Sequence, residues 1–384
     1  NTRFRFITSQ NKTPYKIEFD DIFLNNTYLL NEKNFLSVPA SKFNLPIIIQ
    51  KSKNKLIKLS GTNEIKENII FDQDVEIEAG TIFNLHKDKN LIFKGKVTAI
   101  GKKNSPIIFQ KISDDNWGTI ALQGINTSGS NLDNIIFDGG TGLDRKNILI
   151  KDEFYYGVGN IKYTSSVSVH NTSNIKLRNI KIKNHLKYDD ALHIIYSKNL
   201  ILENFKINYA FGDAIDIDMS QKILLRNVNI EGSKNDAVDL MESSVILEKS
   251  NLSGSKDKAI SVGENSFLKV KDSNLINNNI GIATKDGSLA ILKNIFFENN
   301  VYHLKNYTKN WRYGDGGLTV VNDSRFDIIK NNIDILKSKY EEFEIDESSS
   351  LVVNNSNYKG QKMNEKFLFE KNKINHLKRL KKLN

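Results

Sequence analysis

The stretch "GDAIDIDMSQKILLRNVNI", residues 212–230, is repeated with variations on both sides of itself. The segments that align with it are "SSVSVHNTSNIKLRNIKI" (165–182), "DDALHIIYSKNLILENFKI" (189–207), "NDAVDLMESSVILEKSNL" (235–252), "KDKAISVGENSFLKVKDSNL" (256–275) and "NNIGIATKDGSLAILKNIFF" (278–297). Its alanine, Ala214, aligns with Ser166, Ala191, Ala237, Ala259 and Gly281, and from Ala191 onward the steps are 23, 23, 22 and 22 residues. A fixed period of this length is the signature of a repeat architecture.

Each repeat unit contains three short segments of alternating apolar residues, such as "ALHII", "LILEN" and "FKIN", separated by Asn, Ser, Gly or Lys. Alternation indicates strands, and no segment of the repeat has a helical period. Three short strands in a turn of about 22 residues favour stacked turns about 4.8 Å apart. The predicted fold class is all-β, a right-handed single-stranded parallel β-helix with roughly 22–25 residues per turn.

Two aligned columns follow from this register. The predicted core column consists of Leu192, Ile215, Val238, Ile260 and Ile282. A second predicted column consists of Asn179, Asn204, Asn227, Ser250, Ser273 and Asn294.

The repeat also suggests how the chain is organised. We predict an irregular N-terminal cap or remnant of a preceding domain at 1–58, a β-helix at 59–360 with its clearest repeats at 160–305, and a basic C-terminal tail at 361–384. The segment 139–164 interrupts the repeat by more than one turn, and an insertion of that length usually forms a loop on one face.

Composition limits the classes of function. The chain has 55 Lys+Arg against 45 Asp+Glu, a net charge of +10, which favours polyanionic partners such as acidic glycans, nucleic acid or phosphate-rich lipid. It has no cysteine, no apolar run long enough to span a membrane and no specific nucleic-acid-binding motif. It begins at Asn1 rather than methionine, so we expect that a signal peptide or a larger N-terminal region has been removed.

Acidic residues concentrate in the first strand of three consecutive repeats. The position before the aligned alanine holds Asp190, Asp213 and Asp236, followed one repeat later by Lys258, and two positions after the alanine stand His193, Asp216 and Asp239. The core column lies between these two positions, and we expect both of them to point away from the core. Asp218, Glu264 and Lys285 lie at the far end of the same strands, and Asp218 is expected to be peripheral.

Stacked carboxylates need an explanation, because two of them about 5 Å apart repel each other by roughly 3 kcal/mol at an effective dielectric near 20. A bound cation, raised pKa values, hydrogen bonds from turn amides or nearby lysines would each offset this repulsion. The first two make a functional site, whereas hydrogen-bonded Asp ladders at turns occur without function. Both interpretations stay open from the residues alone.

The functional interpretation assigns roles to these side chains. Candidate catalytic residues are Asp190, His193, Asp213, Asp216, Asp236, Asp239 and Lys258. Carboxylate pairs serve as acid and base in glycoside hydrolysis, and a base beside a lysine or a cation suits abstraction of the proton α to a uronate carboxylate. No cofactor is required by the sequence, but Ca²⁺ held by Asp213, Asp216, Asp236 and Asp239 is compatible with hard oxygen ligands.

Aromatic and basic side chains near the acidic strands are candidate sugar-binding residues. They are Tyr155, Tyr156, Lys285, Trp311, Arg312 and Tyr313. Aromatic rings can stack on sugars, and Arg or Lys can pair with their acidic groups. Packing within their own loops is the alternative role for these aromatic residues.

The succession "DDALHII", "GDAIDID", "NDAVDLMES", "DKAISVGENS" and "NIGIATKDGSLAIL" resembles the right-handed parallel β-helix of the pectin-lyase-like superfamily. In particular, it resembles the β-helix found C-terminal to spore-coat-kinase-like (CotH) domains in bacterial envelope proteins. The resemblance covers roughly residues 60–325. It implies action on, or adhesion to, polysaccharides through Asp, Lys, Arg or His on the sheet formed by the first strand of each turn. The paired-aspartate turn of polygalacturonases has a partial echo in Asp189 and Asp190, and the catalytic arginine of pectate lyases has no clear counterpart.

We therefore expect a secreted or bacterial-envelope protein that binds an acidic polysaccharide and cleaves or epimerises it, as a lyase, epimerase or glycoside hydrolase. A non-catalytic glycan-binding or scaffold module of a larger surface protein is the first alternative. A phage or surface adhesin is the second. Monomer and trimer are both compatible with these interpretations.

Overall fold

The computed structural model describes residues 56–142, 163–327 and 348–354, and the isolated strands Ile17–Asp21, Asn26–Leu30, Phe343–Ile345 and Asn357–Tyr358. The predicted tail at 361–384 and most of the predicted cap at 1–58 lie outside these residues. Within the described ranges the chain is almost entirely β-strand, with short 3-10 helices at Ile125–Thr127 and Trp311–Tyr313.

One parallel sheet, here called the first sheet, takes one strand from each turn. Its strands within the described ranges are β5 (Ile69–Phe71), β8 (Leu91–Phe93), β11 (Ile120–Gln123), β13 (Val167–His170), β15 (Leu192–Ile195), β17 (Ile215–Asp218), β19 (Val238–Met241), β22 (Lys258–Gly263), β24 (Ile280–Lys285), β26 (Tyr302–Tyr307) and β29 (Phe343–Ile345). Every neighbouring pair in this sheet is parallel.

The remaining strands of each turn form a second, larger parallel sheet that bends around the other sides of the core. They are β3 (Ile57–Leu59), β4 (Thr62–Ile65), β6 (Val75–Ile77), β7 (Ile82–Leu85), β9 (Val97–Ile100), β10 (Ile107–Lys111), β12 (Asn131–Asp138), β14 (Lys176–Lys183), β16 (Lys198–Ile207), β18 (Gln221–Ser233), β20 (Ser244–Glu248), β21 (Asn251–Ser255), β23 (Phe267–Ile276), β25 (Leu289–Glu298), β27 (Leu318–Asn322), β28 (Arg325–Asp327), β30 (Ser350–Asn354) and β31 (Asn357–Tyr358). A separate antiparallel hairpin joins β1 (Ile17–Asp21) and β2 (Asn26–Leu30).

The register confirms the predicted core column. Leu192 pairs with Ile215, Ile215 with Val238, Val238 with Ile260 and Ile260 with Ile282. All five side chains are fully buried. Because each turn repeats the same apolar positions, the core is a continuous stack along the axis of the helix, and the predicted parallel β-helix is confirmed.

The second and third predicted strands of a turn often form one long strand with a bend inside it. In β16 the bend lies at Asn204, whose φ of 54° is in the left-handed region that Asn tolerates better than most residues. Neighbouring turns link these bends by side-chain hydrogen bonds, from Asn204 to Asn179 at 2.9 Å and from Asn227 to Asn204 at 2.6 Å. A left-handed residue therefore turns the chain while the strand continues on both sides of it.

Two members of the predicted Asn column are wrong by one position. The left-handed residues in those turns are Lys249 (φ 52°) and Asp272 (φ 51°), not Ser250 and Ser273. The serines lie in the adjacent buried position, where the Ser250 amide donates to the Ser273 hydroxyl oxygen at 3.1 Å. The prediction grouped residues by polarity, whereas the backbone conformation decides the column.

Candidate functional site

The acidic positions form three columns, one where the strands of the first sheet begin and two along its outer face. The turn column contains Asp190, Asp213, Asp236 and Lys258. Backbone hydrogen bonds fix its register, because the amide of the residue after each aspartate donates to the carbonyl of the next column member. These amides belong to Ala191, Ala214 and Ala237. The strand column contains His193, Asp216, Asp239 and Ser261, which pair in that order. The end column contains Ile195, Asp218, Met241 and Gly263.

Carboxylates of the turn column accept hydrogen bonds from backbone amides one turn away. Asp213 Oδ1 accepts from the Asp236 amide at 2.6 Å and from Asn235 Nδ2 at 2.7 Å. Asp236 Oδ1 accepts from the Lys258 amide at 2.9 Å. Turn amides therefore offset part of the repulsion, as one of the sequence-based alternatives anticipated.

A neutral column elsewhere in the same turns makes the same kind of contact. Buried serine hydroxyl oxygens accept amide hydrogen bonds across successive turns, over Ser197, Ser220, Ser243, Ser266 and Ser288 at 2.9 to 3.1 Å. Since a neutral oxygen is sufficient to hold the register of these turns, the charge of the turn column is not needed for that purpose.

Lys258 ends the turn column with a positive charge. Its Nζ lies 3.3 Å from Asp236 Oδ1 and also contacts Asp257, and the Lys258 and Asp236 side chains are 10% and 3% exposed. Burial opposes the charged form, but Asp236 and Asp257 together raise the pKa of Lys258 above its ordinary value. The lysine is therefore a fixed positive charge beside the acidic columns.

Burial and mutual repulsion raise the pKa values of several carboxyl groups here. The pKa of Asp213 rises to about 8, because of its burial and then because of Asp236 and Asp239. The pKa of Asp236 rises to about 7 through burial and Asp239, against the effect of Lys258. Burial and then Asp218 and Asp190 raise the pKa of Asp216 well above its usual range. Carboxyl groups that hold a proton near neutral pH are suited to act as general acids.

These shifts predict an unusual dependence of stability on pH. Asp213, Asp236 and Glu264 have raised pKa values of about 8, about 7 and about 7, so above about pH 6.5 the folded chain binds protons that the unfolded chain has lost. Their stabilisation is complete below the unfolded values near 4 and is lost as the pH rises through 7 to 8. We expect the free energy of unfolding to fall on the order of 2 kcal/mol between about pH 6.5 and about pH 8.5.

Chemical denaturation at the two pH values, in the presence of a chelator, measures this fall. The window also avoids the buried histidines His170 and His185, whose pKa values burial lowers, that of His185 to about 4. The Asp213→Asn variant should show a smaller fall than the parent chain. A stability that rises with pH across this window would contradict the assignment.

In the strand column, His193 approaches two carboxylates of the next turn. Its Nε2 lies 3.8 Å from Asp216 Oδ2 and 3.6 Å from Asp218 Oδ2. The expectation that Asp218 is peripheral is therefore wrong. Asp216 and Asp218 are two residues apart on one strand, so alternation already placed them on the same face.

Among the described residues, His193, Asp216 and Asp218 are the one group of three such side chains whose ligand atoms all lie within 4.8 Å of one another. The predicted calcium ligands Asp213, Asp216, Asp236 and Asp239 do not meet as such a group within the described ranges. A calcium site formed by them stays a prediction.

Aromatic rings cover the sheet on one side of His193. Tyr163 stacks on His170 with ring centroids 5.2 Å apart, and the His170 ring meets His193 edge-on at 4.9 Å. Tyr163 also packs on the outward side chains Ile92 and Ala121. The open part of the outer face therefore begins after His193, at Asp216.

The loop after β26 borders the other end of the columns. Tyr313 Oη donates to Glu242 Oε1 at 3.2 Å, across 71 residues of sequence. Trp311 is 80% exposed, and the Arg312 guanidinium lies 5.9 Å from its ring centroid. Tyr155 and Tyr156 lie outside the described residues.

Lys285 lies against the end column. A Cβ added to Gly263 would lie 2.6 Å from Lys285 Cε, so the lysine chain crosses the sheet where that glycine leaves room. Lys285 opposes the rise in the pKa of Glu264, which burial causes. Tyr307, its register partner, also has a pKa raised by burial. Sequence reasoning missed Glu242 and Tyr307 because neither stands in an acidic column.

Comparison with known proteins agrees with the fold. The family model described as "Right handed beta helix region" matches residues 165–333, which confirms the predicted resemblance to right-handed parallel β-helices. No curated protein sequence matches the chain. The link to proteins with spore-coat-kinase-like (CotH) domains is not shown by these matches and stays a prediction.

Similar solved structures share little sequence identity with the chain. They include Geobacillus virus E2 ORF18 (9% identity, 75% of this chain and 54% of that chain, TM-score 0.47) and endo-xylogalacturonan hydrolase from Aspergillus tubingensis (12%, 74% and 83%, 0.46). The periplasmic alginate epimerase AlgG is a third (10%, 78% and 84%, 0.41). The chain thus spans about half the length of the viral protein, and these likenesses concern the fold alone.

Among the residues that the structure describes, no helix has the length and apolar character needed to cross a membrane.

Proposed function

We propose that the chain is a carbohydrate-active protein that binds an acidic polysaccharide along the outer face of the first sheet and cleaves or epimerises it. The observation that carries the proposal is the pair of acidic columns bordered by Lys258 and Lys285. The serine column supports it, since these turns do not need charge to stay in register.

The mixture of charges suits a uronate-containing glycan. Lys258 and Lys285 place positive charge beside the acidic columns, and positive charge so placed stabilises the enolate-like species that forms when the α-proton is removed. Asp239 is the candidate base, because it lies in the strand column between the buried acids and the lysines. Asp213, whose raised pKa keeps it protonated at neutral pH, is the candidate acid.

The same pair also suits hydrolysis. A protonated carboxyl group donates to the glycosidic oxygen, while a carboxylate activates water or attacks the sugar directly. Asp190, His193, Asp216 and Asp236 remain candidates for further acid–base or binding roles, and Trp311, Arg312 and Tyr313 for contacts with the glycan.

A panel of acidic and neutral polysaccharides, incubated with the chain with and without a chelator, tests the proposal. Mass spectrometry and NMR then separate the reactions: hydrolysis adds water and gives new reducing ends, elimination gives an unsaturated sugar, and epimerisation changes stereochemistry at constant mass. We expect Asp239→Asn to lower turnover by about 100-fold or more, the usual contribution of a general base.

Asp272→Asn is the matched control. Asp272 is a carboxylate on the second sheet, at the left-handed position where other turns carry Asn. Its substitution by Asn therefore suits the backbone conformation and removes one negative charge, as Asp239→Asn does, but leaves the first sheet unchanged. Full turnover by Asp239→Asn would refute its role. Binding of a glycan without any product would favour the alternative of a non-catalytic glycan-binding module. The turn column is compatible with that alternative, because its carboxylates accept hydrogen bonds from backbone amides and so have a structural role.

A secreted or envelope location and a monomeric or trimeric state accompany this proposal. Acidic polysaccharides are polymers of the cell exterior, and the net charge of +10 favours their approach. The mass of the chain in solution distinguishes a monomer from the trimer expected of an adhesin.

A further inference from the structure

We propose that His193, Asp216 and Asp218 form a binding site for a divalent transition-metal ion, with Zn²⁺ the best match. The proposed reaction does not require this ion, although the site lies on the same face of the first sheet. Metal binding and polysaccharide turnover can therefore succeed or fail separately.

The distances within the cluster fit shared coordination better than hydrogen bonding. A hydrogen bond between an imidazole nitrogen and a carboxylate oxygen is about 2.7 to 3.2 Å long. His193 Nε2 is 3.6 Å from Asp218 Oδ2 and 3.8 Å from Asp216 Oδ2. Two ligand atoms each about 2.1 Å from a tetrahedral zinc ion are roughly 3.4 Å apart, so the two distances from His193 need to shorten by only a few tenths of an ångström.

The hydrogen bonding of the His193 ring supports a bound ligand. Its side chain is 8% exposed, and neither ring nitrogen has a hydrogen-bond partner among the described residues. A buried polar group without a partner is costly, and in native structures such a group usually marks a site for water, an ion or catalysis. The ring is directed at the two carboxylates and is held by the edge contact with His170.

The kinds of ligand select the metal. Ca²⁺ takes six to eight oxygen ligands, whereas imidazole nitrogen suits zinc and other transition metals. Three protein ligands leave the fourth position of a tetrahedral site open, as in catalytic zinc sites. Asp216 and Asp218 are 20% and 18% exposed, so that position can face the solvent.

The fold also arranges these ligands before any ion binds. Asp216 and Asp218 alternate on β17, and His193 pairs with Asp216 from the adjacent strand β15. Parallel pairing fixes the three Cα positions, so only side-chain rotation is needed to bind the ion. A site on rigid strands costs less to order than one on loops.

Titration of the chelator-treated full chain with Zn²⁺ by calorimetry, and with Co²⁺ by visible absorption, tests the proposal. We expect one ion per chain and a cobalt spectrum typical of low coordination number. His193→Ala and Asp218→Asn should each weaken binding by about 100-fold or more, at least the loss seen when outer-shell partners are removed. Asp272→Asn, on the second sheet, should bind like the parent chain.

Thermal denaturation gives a second readout that needs no polysaccharide. Zn²⁺ should raise the melting temperature of the parent chain and of Asp272→Asn, but not that of Asp218→Asn. Asp218→Asn preserves the shape of the side chain, so it serves if His193→Ala fails to fold. The proposal is wrong if neither ion binds, if both variants bind as tightly as the parent chain, or if Ca²⁺ binds more tightly than Zn²⁺. A chain that binds zinc but changes no polysaccharide would refute the proposed function and leave the metal site intact.

Discussion

Lys258→Met is expected to lower the free energy of unfolding by about 3–5 kcal/mol near pH 8, because it removes one partner of a buried ion pair. The lysine Nζ lies 3.3 Å from Asp236 Oδ1, and that aspartate side chain is only 3% exposed. Without the lysine, the Asp236 carboxylate would be buried with an amide hydrogen bond but without an ion-pair partner among the described residues. Denaturant titration with a folding check by circular dichroism measures the loss.

The pH dependence of this loss identifies its cause. The pKa of Asp236 is already raised to about 7, so at about pH 5 the group is protonated with or without the lysine and the loss should be small. The double variant Lys258→Met with Asp236→Asn should recover most of the stability at pH 8. Lys271→Met is the control: its partner is Asp272 at 3.3 Å, and the lysine is 50% exposed, so we expect a loss below about 1 kcal/mol. An equal loss at both pH values would show that packing of the lysine stem, not charge, is responsible.

Gly212→Ala is expected to destabilise the chain by about 3 kcal/mol, at the upper end of the cost of overpacking. A Cβ added to Gly212 would lie 2.0 Å from the carbonyl oxygen of Asp189, which belongs to the backbone of the previous turn. Backbone atoms cannot rotate away as a side chain can, so adjacent turns would have to separate. The next residue is Asp213, and the site should therefore be displaced as well.

The same position one turn later provides the control for Gly212→Ala. Asn235, whose amide bonds the Gly212 carbonyl, carries a full side chain there, and it donates to Asp213. Asn235→Ala should cost only about 1 kcal/mol, the value of one hydrogen bond. Thermal and chemical denaturation of both variants compare these losses. If Gly212→Ala were no more destabilising than Asn235→Ala, the close approach of the turns would not be limiting.

Periodicity accounts for how much of the molecule could be predicted. Once Ala191, Ala214 and Ala237 are aligned, the neighbours of every strand residue follow, because each turn lies directly on the last. The core column, the pairing of His193 with Asp216 and the pairing of Asp216 with Asp239 were obtained this way. The same logic failed at Ser250 and Ser273, where polarity alone could not show which residue adopts positive φ.

The amino-acid sequence by itself thus determined the repeat, the parallel stacking and the columns that the acidic residues share, since a regular period leaves one register that buries the apolar face. Only the tertiary structure decided how the charges are partnered. Amide hydrogen bonds hold Asp213 and Asp236, Lys258 turns back onto Asp236, and Tyr313 reaches Glu242 across three turns. The tertiary structure also placed the Asp218 carboxylate beside the His193 ring. Side-chain rotation and loop paths have no period, so these contacts depend on the packing of the folded chain.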